Sequence, residues 1–145
     1  MSKKFKLGQA TAGTLKLAIA VAAMAAVAGC TTSISKGIND KGQAQEVVFP
    51  DPVKDPKQPE GSYPNREGIQ NMRLGMTKAQ VYELIGVPHY SEGYGAREWD
   101  YLFHLPPSVQ TCQYKVIFDK DMLVGTMAWF PEKCEEIAAA PTKPR

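Results

Sequence analysis

Two histidines and three cysteines in 145 residues leave little material for a catalytic or metal centre. His89 follows a proline in a loop, and His104 belongs to the polar face of a predicted strand. Neither stands beside a Ser or Asp in a recognised nucleophile motif. The cysteines lack the close ligand pairs a metal requires. Glu98 and Asp100 share a strand face, but carboxylates so spaced are common. We therefore expect no catalytic residues, no metal and no cofactor, and the chain reads as a non-enzyme. Basic charge is also short where nucleic acid would need it. Of 17 basic residues, Lys3, Lys4, Lys6 and Lys16 lie in the first thirty positions, leaving 13 against 15 acidic ones. No basic face remains to displace counterions from phosphates, which excludes nucleic acid as a partner. Nor is there a comfortable membrane span: the uninterrupted apolar run Leu17 to Ala28 has twelve residues, against the ~20 a bilayer demands.

What is present at the N-terminus has an order. Lys3, Lys4 and Lys6 form a positive region with no acid before residue 30, the apolar run follows, and Val27-Ala28-Gly29-Cys30 closes it. The sequence of charge, apolar stretch and small residues before a cysteine resembles a bacterial lipobox. Small residues let the peptidase reach the bond, and the thiol carries the diacylglycerol. Residues 1–29 are thus expected to be a lipoprotein signal peptide and Cys30 the lipidated first residue. More than one acyl chain makes such an anchor stable. Thr31 and Thr32 carry no Asp of the inner-membrane retention kind, so outer-membrane sorting is expected.

Residues 30–63 are rich in Ser, Thr, Gly, Gln and Pro, with Pro50, Pro52, Pro56 and Pro59 at short intervals. This composition reads as a flexible tether that lifts a domain off the membrane. Val47-Val48-Phe49 is its one apolar cluster, able to dock on the domain or to pair as an edge strand.

Residues 64–134 read as the folded domain. Asn65 can cap a first helix, with Ile69 and Met72 pointing one way and Gly75 as its stop. Thr77 caps a second, with Gln80 at the reciprocal position of a capping box. Val81, Leu84 and Ile85 share one face of it, and Gly86 and Pro88 end it. Three alternating segments follow: Arg97–Leu105, Thr111–Asp119 and about Met122–Phe130. Trp99, Tyr101, Phe103 and Leu105 oppose Glu98, Asp100 and His104, as expected of a sheet with one dry and one wet face. The fold class is α+β, two short helices packed on a three-stranded antiparallel sheet. A hairpin about Lys120-Asp121 would set Cys112 opposite Trp129. With Cys30 given to lipid, Cys112 and Cys134 are the even pair expected to form a disulfide. Residues 135–145 read as a disordered tail.

Arg73-Leu-Gly-Met-Thr77, Gln80-Val81, Gly86-Val-Pro88 and Trp99-Asp-Tyr-Leu-Phe103 together resemble the SmpA/OmlA (BamE-like) family of outer-membrane lipoproteins. The likeness covers about residues 65–130, and from Arg73 to Phe103 it needs no gap. The wording Arg97-Glu-Trp-Asp-Tyr-Leu-Phe-His104, with Thr111-Cys-Gln-Tyr-Lys115, is closest to a subgroup whose SmpA-like domain precedes an OmpA-like domain. Here no second domain is expected after the Ala/Pro-rich end. The resemblance implies two helices on a three-stranded sheet, residence at the periplasmic face of the outer membrane, and support of β-barrel assembly or envelope integrity. It further implies contacts with partner lipoproteins of the assembly machinery and with phosphatidylglycerol. The surface expected to make them comprises Arg73, Tyr90, Tyr94 and Arg97, since aromatics and Arg in a Gly-containing loop suit protein or anionic headgroup contacts. Two other readings stay open: a periplasmic inhibitor or ligand-binding module of the β-lactamase-inhibitor-like fold, and a structural link to the cell wall.

Overall fold

A computed structural model describes residues 33–54, 56, 59–90, 95–108 and 110–141, all within the unit Thr31–Arg145. The expected signal peptide, Cys30 and Tyr94 lie outside the described residues.

Helix α1 (Arg66–Gln70) begins where Asn65 accepts from the backbone N–H of Glu67 at 3.1 Å. It ends at Asn71, four residues before the glycine expected to stop it. Gly75 (φ +80°) instead turns the connection so that its N–H donates to Val124 O at 2.8 Å. Helix α2 (Lys78–Ile85) carries both halves of the capping box, Thr77 taking the Gln80 N–H and Gln80 taking the Thr77 N–H. Gly86, at φ +81°, closes it. The two helices touch at Gly68, where a Cβ would lie 2.1 Å from Leu84 O. Only a residue without a side chain allows that approach.

Strands β1 (Glu98–His104), β2 (Thr111–Phe118) and β3 (Val124–Phe130) form an antiparallel meander in the order β1-β2-β3. The architecture is the α+β arrangement expected from periodicity. Pairings Tyr101↔Tyr114, Phe103↔Cys112 and Tyr114↔Trp129 gather the large apolar side chains on the face beneath α1 and α2. There Tyr101 stacks on Phe103 at 5.2 Å and Tyr114 packs on Trp129 at 4.3 Å. Val81, fully enclosed by this layer, contributes about 2 kcal/mol through burial alone.

The β2–β3 register differs from the two-residue hairpin expected. Trp129 faces Tyr114 rather than Cys112. Asp119 Oδ1 takes the N–H groups of both Asp121 and Leu123, Met122 adopts φ +62°, and Asp119 N closes on Leu123 O, so the turn is longer than Lys120-Asp121. An irregularity at Ile117/Phe118 completes the offset. The shift is even, so each side chain keeps its face.

Two further corrections concern the flanks. Helix α3 (Lys133–Ala139) runs into the tail expected from residue 135 and buries Cys134 and Ala138. A disulfide joins Cys134 to Cys112, Cα to Cα 5.8 Å, tying α3 to β2. Gln70 of α1 donates to Ala138 O and Ala140 O at the end of α3, and Arg66 to Ile137 O and Ala140 O, satisfying carbonyls that the short helix leaves over.

The tether is likewise engaged for much of its length. Residues 36–46 make a small hairpin, with Lys36 N donating to Glu46 O and Asn39 N to Gln43 O, both at 2.9 Å. This strap lies on the sheet face that alternation assigned to water. Glu98, Asp100, Gln113 and Lys115 are buried there. Val48 N donates to Ser35 Oγ, Gln113 donates to Pro50 O, and Phe49 packs 5.7 Å from Phe130. The Val47-Val48-Phe49 cluster therefore docks on the domain. Polar side chains could be enclosed because they pair with one another and with strap backbone, a compensation that alternation does not reveal.

Candidate interaction surface

Three of the four residues expected to form a binding surface are described, and they serve separate parts of the fold. Arg73 is exposed in the α1–α2 connection, where its guanidinium donates to Gln70 O and Met72 O, each at 2.7 Å. It caps the end of α1. Tyr90 is buried and pairs with Pro56 beside β1, so it roofs the domain instead of presenting itself. Burial is the physical reason it leaves the surface set. Arg97 donates from Nε to Phe118 O at 3.0 Å and from Nη2 to Asn39 O at 2.6 Å, stitching β1, β2 and the strap. With Ser33, Ser35, Ile38 and Gly95 it lines a cleft of about 320 Å³ where the strap begins.

A different surface lies on α2. Its buried stripe, Val81 and Ile85, faces the sheet. Outside that stripe Tyr82 is 51 % exposed, and the flanking Leu74 and Val87 are 65 % and 48 % exposed. Met76, Ala79, Gln80, Glu83 and Leu84 line a groove of about 350 Å³ along the same helix. Exposed aromatic and aliphatic side chains held by a doubly capped helix form a rigid, adhesive face. Sequence reasoning passed over it, although one sign was there. Tyr82 falls off the Val81–Leu84–Ile85 stripe, so an amphipathic helix must present it outward.

The histidines are both occupied with backbone. His89 is buried at the β1 edge, where Nδ1 accepts the Leu102 N–H at 3.1 Å and its own N–H donates to Asp100 O at 2.9 Å. Burial holds its imidazole below the ordinary value. His104 Nε2 is 2.6 Å from Glu60 O. Among the described residues no group of three His, Cys, Asp or Glu side chains is placed to hold a metal ion. Cys112 and Cys134 are engaged with each other. The polar cluster of greatest consequence is Lys115, with no exposed surface, 2.8 Å from Asp100 Oδ2 and 3.2 Å from Glu98 Oε1. Burial pushes the Asp100 carboxyl up to about 6, against the opposing pull of Lys115. This cluster is sealed under the strap, so its role is architectural.

Residues 61–128 match the family model described as "Outer membrane protein assembly factor BamE domain". The matched stretch takes in α1, α2, β1, β2 and most of β3, and excludes residues 33–60 and α3. A curated relative from Polynucleobacter necessarius subsp. necessarius (strain STIR1), "Outer membrane protein assembly factor BamE", is 30% identical over 102 residues. That alignment covers 68% of this chain and 42% of the relative, so the chain spans well under half of the relative's length.

Proposed function

The chain belongs to the BamE family through residues 61–128, and from that premise we propose that it assists the assembly of outer-membrane β-barrel proteins by binding, not by catalysis. In this reading Cys30 is acylated, the anchor sits in the outer membrane, and the domain faces the periplasm. The Cys112–Cys134 disulfide suits that oxidising compartment. The observation that carries the proposal is the family domain itself, joined to an outward apolar face on α2 made by Leu74, Tyr82 and Val87. A partner protein of the assembly machinery would cover that face, with Tyr82 as the central anchor. Anionic headgroups such as phosphatidylglycerol would meet exposed guanidinium groups, of which Arg73 is the most open among the described residues.

Photocrosslinking from position 82 in native membranes tests this. A crosslinked barrel-assembly component, lost when Leu74→Asp is added, is the expected result. Depletion of the protein should lower the amount of barrel proteins in the outer membrane. Recovery of no assembly component, together with normal barrel levels after depletion, overturns the reading.

A further inference from the structure

The strap is fastened at its first turn. Ile34 N donates to Glu98 Oε2 at 2.6 Å, and Ser35 N lies 3.2 Å from Glu98 Oε1. The same carboxylate holds Lys115, so the start of the strap is tied directly into the buried charge cluster. Further along, Lys120 N donates to Asp40 O at 3.0 Å, and Arg97 reaches Asn39 O. At Gly125 of β3 the strap comes so near that a Cβ would lie 2.2 Å from Lys41 O and 2.8 Å from Gly42 Cα.

These fastenings matter because of where Cys30 stands in the chain. Ile34 is four residues after it, and four residues of fully extended backbone span at most about 14 Å. If the strap were loose as far as Pro50, twenty residues of flexible chain would intervene, with a root-mean-square reach of about 25 Å and a much longer maximum.

We propose that residues 33–50 are a latch that draws the folded domain down onto the lipid surface, with the end carrying Ser33, Ile34, Ile38 and Arg97 turned toward the bilayer. This rests on the lipid-anchor reading. The partner is the membrane that holds the acyl chains, and the observation that selects it is the shortness of chain between Cys30 and the Glu98 fastening. The half-exposed Ile34 and the cleft around Arg97 then face headgroups, and the α2 face is presented from a set height. Undoing the latch lengthens the reach.

The test uses full-length acylated protein in phosphatidylcholine vesicles carrying a dansyl-headgroup lipid, so that charge attraction does not hold the domain down. Energy transfer from Trp99 and Trp129 reports the stand-off. The wild type should transfer strongly. Gly125→Ala, which evicts the strap through a backbone clash, should lower transfer severalfold, and Glu98→Gln should do the same by weakening the first fastening. Should Glu98→Gln fail to fold, Gly125→Ala still decides, because alanine is otherwise better suited than glycine to the middle of a strand. Hydrogen exchange on a soluble Cys30→Ser form gives a separate readout: the Ile34 and Ser35 amides should be protected. Weak transfer in the acylated wild type, equal to that of both variants, overturns the proposal. So do Ile34 and Ser35 amides that exchange like an open chain. A protein that carries no acyl mass and does not bind vesicles refutes the anchor reading instead, while amide protection still reports on the strap.

Discussion

Lys115 sits between two buried carboxylates, those of Glu98 and Asp100. Desolvation is the larger influence on Asp100 and raises it from the usual carboxylate value of 3.8 to about 6. The folded protein therefore binds a proton there more readily than the unfolded chain does. That contribution to stability is fully present below about pH 3.8 and is lost as pH rises through 6, on the order of 3 kcal/mol in all. Glu98, Lys115 and the strap N–H groups at Ile34 and Ser35 are the charged and polar groups of the cluster. His89 works in the opposite sense. Its burial favours the neutral ring, so its contribution is present above pH 6.5 and is lost as pH falls below that. Asp100→Asn isolates the first effect. Urea midpoints measured from pH 4 to 7 should show the wild type falling relative to the variant as pH rises; parallel profiles would refute the assignment.

At the scale of elements, the capping box of α2 and the disulfide of α3 carry separable amounts of stability. Thr77→Ala removes the acceptor for Gln80 N and should cost about 1 kcal/mol, read as a lower urea midpoint with unchanged slope. Replacing both Cys112 and Cys134 by Ser opens a loop between residues 22 apart in sequence and should cost about 3 kcal/mol on the chain-entropy account. A non-reducing mass measurement of the purified wild type, two hydrogens lighter than its reduced form, checks that the bond exists. Much of this level was legible from residue pattern alone: both N-caps, the apolar stripe of α2, three alternating strands and the cysteine pair. What stayed hidden has specific causes. Asp119 built a longer turn by accepting two backbone N–H groups, which spacing does not disclose. Helix α3 has no side-chain cap, and Arg66 and Gln70, some seventy positions earlier, finish its far end. The Glu98–Lys115–Asp100 cluster looks like ordinary solvated alternation until the covering chain is known. Of the described residues of the expected binding surface only Arg73 stands open, since a single residue's exposure depends on loops that periodicity cannot place.

For the molecule as a whole, two layers cover the sheet from opposite sides. Helices α1 and α2 enclose the aromatic face, and the strap of residues 33–50 encloses the charged one. The family match begins only at residue 61 and ends at 128. The strap and α3 lie outside that stretch, and they fix how the sheet is held and closed. A fragment trimmed to residues 61–128 would let water reach the Lys115 ammonium and both its carboxylates, and would strand Cys112 with a reactive thiol. Gene designs for this protein should accordingly start upstream of Ser33 and run past Ala140, or the purified material will be a stickier, redox-active object than the one the cell makes.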